Sequence, residues 1–64
     1  MSWELLRDVP VGTVLSRAWG CRVLLDKQVV TYGDCQMIGC VFLWNDGTIV
    51  VEAPYEFDQR VTIL

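Results

Sequence analysis

Residues 37–53, MIGCVFLWNDGTIVVEA, decide the fold. The stretch reads as two strands joined at Asn45-Asp46-Gly47. A three-residue loop, a type I turn followed by Gly47 in the left-handed region, sets Trp44 opposite Thr48 and Leu43 opposite Ile49. Phe42 then faces Val50, and Val41 faces Val51. One face of the hairpin carries Val41, Leu43, Ile49, Val51 and Ala53. The other carries Cys40, Phe42, Trp44, Thr48, Val50 and Glu52. A two-residue turn at Asp46-Gly47 would slip the pairing, yet each face would still hold several large apolar residues.

A hairpin with one wet face alternates apolar and polar residues, and this one does not. The aliphatic face is the expected internal core. The Phe42, Trp44 and Val50 face is the expected interface, because aromatic side chains concentrate at interface centres. The alternative is that the remaining elements wrap round and bury this face as well.

Outward from the hairpin, β-formers dominate. Thr13 to Ala18, Cys21 to Leu25 and Val29 to Tyr32 are candidate strands, the last two joined through the polar Asp26-Lys27-Gln28. Gly33-Asp34 breaks the pattern before the central hairpin, whose strands run near Met37 to Trp44 and Thr48 to Ala53. Pro54 cannot donate to a ladder and is expected to close the second of these. Arg60 to Leu64 forms a last strand, docked in a sheet or across a subunit boundary. At the N-terminus, Ser2 is placed to cap a helical turn over Trp3, Glu4, Leu5 and Leu6, ended by Pro10. The expected fold is all-β: a small five- or six-stranded curled sheet or barrel, of SH3-like, Sm-like or OB-like size, with at most one short N-terminal helical turn.

The 64 residues make a single domain, 1–64, that buries only about 60% of its unfolded surface. Apolar residues nevertheless make up 53% of the chain. Burial between copies reconciles the two, so a homo-oligomer is expected. A net charge of −3 opposes general nucleic-acid binding, and the absence of histidine removes the commonest general base and zinc ligand. Three cysteines without a secretion-type N-terminus suit a reducing cytoplasm. The longest apolar run, Met37 to Trp44, is far short of the ~20 residues of a membrane span.

Arg17, Trp19, Arg22 and Lys27 form the candidate ligand site, since arginine beside an aromatic plane suits a phosphate and a base. A small anionic ligand such as a nucleotide is the expected occupant, with a single nucleic-acid strand as the rival. The acidic loop around Glu52, Glu56 and Asp58 carries Tyr55 and Phe57, which could anchor a protein partner. Cys35 and Cys40, a C-x4-C pair in a chain without histidine, are a weak signal for zinc, with Asp34 a conceivable acidic ligand. Cys21, beside Arg22, has no base to activate it. No catalytic set, metal or cofactor is expected. The sequence thus points to a non-enzymatic binding module, inhibitor-like or phage-regulator-like in size, that occupies a protein surface or holds a small anion.

Overall fold

The computed structural model describes residues 2–17 and 20–64, with Arg17 described through its backbone alone. Gly47 takes φ +89°, a conformation costly for any residue with a Cβ, and so completes the turn after Asn45 and Asp46. Its N–H donates to the Trp44 carbonyl, and the Trp44 N–H donates to the Thr48 carbonyl, both at 2.9 Å. The Thr48 N–H also donates to Asp46 Oδ1 at 2.9 Å, which holds the exposed Asp46 carboxyl below its ordinary range. The three-residue loop and the predicted register are both present: Leu43 opposes Ile49, Phe42 opposes Val50, and Val41 opposes Val51.

Six strands form one antiparallel sheet: β1 (Ser2–Leu5), β2 (Val14–Arg17), β3 (Gly20–Tyr32), β4 (Cys35–Trp44), β5 (Ile49–Glu56) and β6 (Arg60–Ile63). Their spatial order is β1-β6-β2-β3-β4-β5, so the sheet stays open, with β1 and β5 at its edges. The all-β expectation holds. The last strand is docked as expected, inserted between β1 and β2 and extended by the Leu64 N–H donating to the Val14 carbonyl at 3.2 Å.

Three local expectations are corrected. Ser2–Leu5 is a strand paired with β6, not a helical turn; the single 3-10 turn comes later, at Leu6–Asp8. Two short strands around Asp26-Lys27-Gln28 are instead the continuous 13-residue β3. A bulge between Leu24 and Asp26 absorbs Leu25 and resets the side-chain alternation, so the polar triplet stays in the ladder. The turn falls at Gly33-Asp34, where Gly33 takes φ +58° at the first position of a two-residue loop. Pro54 does not end β5. The cis Ala53–Pro54 bond lies in a bulge opposite Gly39 on this edge strand, where a missing donor is tolerated.

The inner face of the sheet gathers Leu15, Leu24, Ile38, Cys40, Phe42 and Val61, all buried. Leu6 and Val9, also fully buried, close over it from the segment between β1 and β2. Trp44, Tyr55, Phe57 and Ile63 pack against this cluster. The hairpin faces are therefore the reverse of those expected. Phe42 is 0% exposed, while Ile49 and Val51 on the supposed core face are 64% and 73% exposed. Phe42, Trp44, Val50, Tyr55 and Phe57 lie on or against the core side, half-buried apart from the fully buried Phe42. Leu6 and Val9 share one buried cluster with Phe42, and the Arg22 guanidinium lies over its ring, so the inward face is covered by the chain itself.

Candidate functional site

On the inner face, three side chains converge from two strands. Arg22 on β3 donates from Nη1 to Glu52 Oε2 at 3.2 Å and to the Tyr55 hydroxyl oxygen at 3.4 Å. The Tyr55 hydroxyl donates to Glu52 Oε1 at 2.7 Å. The Arg22 guanidinium lies 4.1 Å from the centre of the Phe42 ring, and its side chain is only 13% exposed. Burial, with the Glu52 hydrogen bond second, pushes the Tyr55 hydroxyl above its ordinary value. Burial likewise pushes up the neighbouring Cys40 thiol, with the Lys27 and Arg22 charges opposing it. Charge and counter-charge thus meet within this cluster, which fixes β3 against β5.

Of the expected anion site, Arg22 and Lys27 are described, and their charged groups turn to different internal partners. Lys27 Nζ turns inward and donates to the backbone carbonyls of Leu6 at 3.2 Å, Arg7 at 2.8 Å, and Val9. Arg22 is committed to Glu52, Tyr55 and Phe42, as above. The Arg17 side chain and Trp19 lie outside the described residues. Arg7 and Arg60 are stacked on Phe57 at 4.6 Å and Trp3 at 4.3 Å. Four of the five basic side chains therefore already have an intramolecular partner. Cys21 is half-buried, Cys35 exposed and Cys40 buried, all as free thiols. Among the described residues, no group of three or more cysteine or carboxylate side chains is placed to hold a metal. Nor, among those residues, is any helix long and apolar enough to cross a membrane.

The outer face of β3, β4 and β5 is different. Register and alternation place Val23, Val41, Leu43, Ile49 and Val51 side by side there, with Ile49 and Val51 more than half exposed. Asp26 sits among them on the same face, opposite Val41 in the row of Val51, and Glu56 lies further along it opposite Met37. Three strands about 4.8 Å apart and about eight residues long make a face of roughly 14 by 26 Å. Part of that area is polar, because the exposed Asp26, Gln28 and Glu56 share it with the aliphatic residues. Fully covering one Ile or Val side chain contributes about 1.5–3 kcal/mol, so a few such contacts suffice to hold a partner.

One hollow breaks this face, a depression of about 50 Å³ bordered by Val30, Tyr32, Met37, Gly39, Ala53 and Pro54. Sites for small organic ligands run to about 300–1,000 Å³, so this one is sized for a single aliphatic side chain. Sequence reasoning identified the apolar excess but attached it to the wrong face. It missed the hollow entirely, although Gly39 and Ala53 are the smallest residues on the outward-facing positions of β4 and β5. No family model matches the chain, and comparisons with curated proteins and with solved structures find no similar protein.

Proposed function

We propose that this chain is a non-enzymatic binding module that works through the outer face of β3, β4 and β5, with a second copy of itself as the first partner. The observation that carries this reading is the exposure of Ile49 and Val51, 64% and 73%, on the aliphatic surface they share with Val23, Val41 and Leu43. A face of that kind binds by burying apolar area rather than by steering charge. Protein contact is favoured over a small anion because Arg22 and Lys27 are spent on internal bonds. The free thiols suit work in a reducing compartment such as the cytoplasm. Native mass spectrometry with size-exclusion light scattering tests the reading. The wild type should run as a multiple of 7.3 kDa, and Ile49→Lys should run as a folded monomer. A monomeric wild type, or an assembly indifferent to Ile49→Lys, would overturn it.

A further inference from the structure

β3 runs on past the strand at its other flank. β2 pairs with it only from Gly20 to Val23. Just beyond, the Leu24 N–H donates to the Thr13 carbonyl at 3.0 Å, and the Leu24 carbonyl accepts from the Gly12 N–H at 2.7 Å. From Asp26 to Tyr32 the ladder continues on the β4 side alone, which leaves an open edge about 23 Å long. The two-residue loop at Gly33-Asp34 closes on Tyr32 opposite Cys35, a pair that exchanges both backbone bonds. Alternation then gives β4 the N–H and C=O groups of Val30, Gln28 and Asp26, and turns those of Thr31, Val29 and Lys27 to the open side. Among the described residues these outward groups have no partner. The side chains beside them are exposed as well, Val29 at 46% and Tyr32 at 64%.

Unpaired strand edges recruit other strands, and proteins blunt the ones they keep free. β1 is only four residues long, and β5 is broken by the bulge at Ala53-Pro54, where the proline has no N–H to offer. The β3 edge from Asp26 to Tyr32 has no proline and no bulge, and its lysine ammonium is turned away to the Leu6, Arg7 and Val9 carbonyls. We infer that this edge pairs antiparallel with the same edge of a second copy, about a two-fold axis normal to the sheet at Val29. Val29 then lies opposite the partner's Val29, and Lys27 opposite the partner's Thr31, so every outward backbone group finds its complement. A shift of one residue either way sets Gly33 or the bulged Leu25 against one of them.

Charge and shape favour a second copy as the occupant. Gln28 faces the partner's Val30, and Asp26 faces the partner's Tyr32, so no like charges stand opposite one another. Asp34 is on the β4 side of the tip, away from the contact. The Pro10–Thr13 turn bounds the open edge at Leu24, and the partner's Gly33 reaches only to Leu25. Gly12 and Gly33, where turn and tip meet, both have open space around the position of a missing Cβ. Strand addition draws its affinity from main-chain bonds over a small area, so a dissociation constant of about 10–100 µM is expected. The axis leaves both outer faces open on one side of the joined sheet, which separates this contact from the outer-face reading.

Amide hydrogen exchange by NMR on the full chain, from about 20 µM to 1 mM, reads the pairing residue by residue. The Lys27, Val29 and Thr31 amides should exchange about four to six times more slowly at the higher concentration. Those of Gln28 and Val30, bonded to β4 in the monomer, should not change. Val29→Pro removes an outward donor without touching the β4 ladder, and Val29→Glu sets two carboxylates together on the axis. Both should abolish the concentration dependence with circular dichroism unchanged, while Ile49→Lys should retain it. An assembly indifferent to Ile49→Lys that still protects Lys27, Val29 and Thr31 would end the outer-face reading and leave this contact standing. Amides of these three residues that exchange equally at both concentrations would overturn the edge contact, whatever Ile49→Lys does. Protection gained at Ile49 and Val51 instead would overturn it too, by placing the second copy on β5.

Discussion

Lys27 Nζ donates to the backbone carbonyl of Arg7 at 2.8 Å, across the inner face of the sheet. The same ammonium serves the Leu6 and Val9 carbonyls, so one side chain gathers acceptors from the 3-10 turn and from the residue just beyond it. It thereby holds Leu6 and Val9 against the core they close. Hydrogen bonds from a charged donor contribute about 1.5–3 kcal/mol, and orphaned carbonyls add a further penalty. Lys27→Met is expected to cost about 2–3 kcal/mol, seen as a lower urea midpoint with an unchanged slope. In a domain of this size that corresponds to a fall of roughly 8–24 °C in thermal midpoint. A midpoint within a degree or two of wild type would show that the three bonds are dispensable.

The Arg22, Glu52 and Tyr55 cluster is a second pin, and its members act as a unit. Glu52→Gln leaves the Arg22 charge over Phe42 without its counter-charge, at a position where the arginine side chain is 13% exposed. Partial exposure of Glu52, 26%, lets solvent screen some of the loss, so about 1–2 kcal/mol is expected rather than the cost of a fully buried pair. Tyr55→Phe removes the hydroxyl shared between the two, for about 1 kcal/mol. In a double-mutant cycle these losses should fall short of additivity, because the second substitution removes a bond the first has already weakened. Strict additivity would mean that the three groups do not communicate.

What the sequence made legible was local. Asn45-Asp46-Gly47 specified a loop length, and the loop length specified the register down to Phe42 opposite Val50. No distant contact was needed for that. The choice of inward face was not legible, because Cys40 and Phe42 are no more apolar than Val41 and Leu43. It is settled by Leu6, Val9 and the Lys27 carbonyl contacts, across sequence separations of 18 to 21 residues. Lys27 itself was misread for a related reason. Asp26-Lys27-Gln28 resembles a turn until the bulge at Leu25 places the lysine on the inner side, within reach of backbone oxygens. Among the candidate ligand residues, Arg22 and Lys27 share the inner face, but they point to different partners and form no common pocket.

Alkaline pH should loosen the fold. Cys40 and Tyr55 both have folded-state values raised above their ordinary 9.0 and 10.0 by burial. Raised values mean that the unfolded chain gives up these protons first, so it binds fewer protons than the native state in that window. Stability from these groups is complete below about pH 9, where both are protonated in either state. It is lost progressively as pH climbs through 9 and 10 towards the folded values. Urea midpoints measured from about pH 7 to 11 should fall on the alkaline side, and the fall should be shallower in Tyr55→Phe. A flat profile across that range would contradict the burial of both groups.

The reversal of the two hairpin faces has the sharpest consequence. Phe42 is 0% exposed beneath the Arg22 guanidinium, and Val51 is 73% exposed on the opposite side of the same hairpin. Removing a buried phenyl ring costs about 3–5 kcal/mol through lost burial and the cavity left behind. A chain of 64 residues has about 3–10 kcal/mol to lose, so Phe42→Ala should be largely unfolded or severely weakened at 25 °C. Val51→Ala removes methyl groups already in water in the monomer, so its folding midpoint measured in dilute solution should move by less than about 0.5 kcal/mol. The same pair separates folding from association, since Val51→Ala should weaken only the self-contact while Phe42→Ala removes the fold that presents it. If instead Phe42→Ala were mild and Val51→Ala severe in the dilute monomer, the aliphatic face would be the core after all, and the assignment of inner and outer sides would fail.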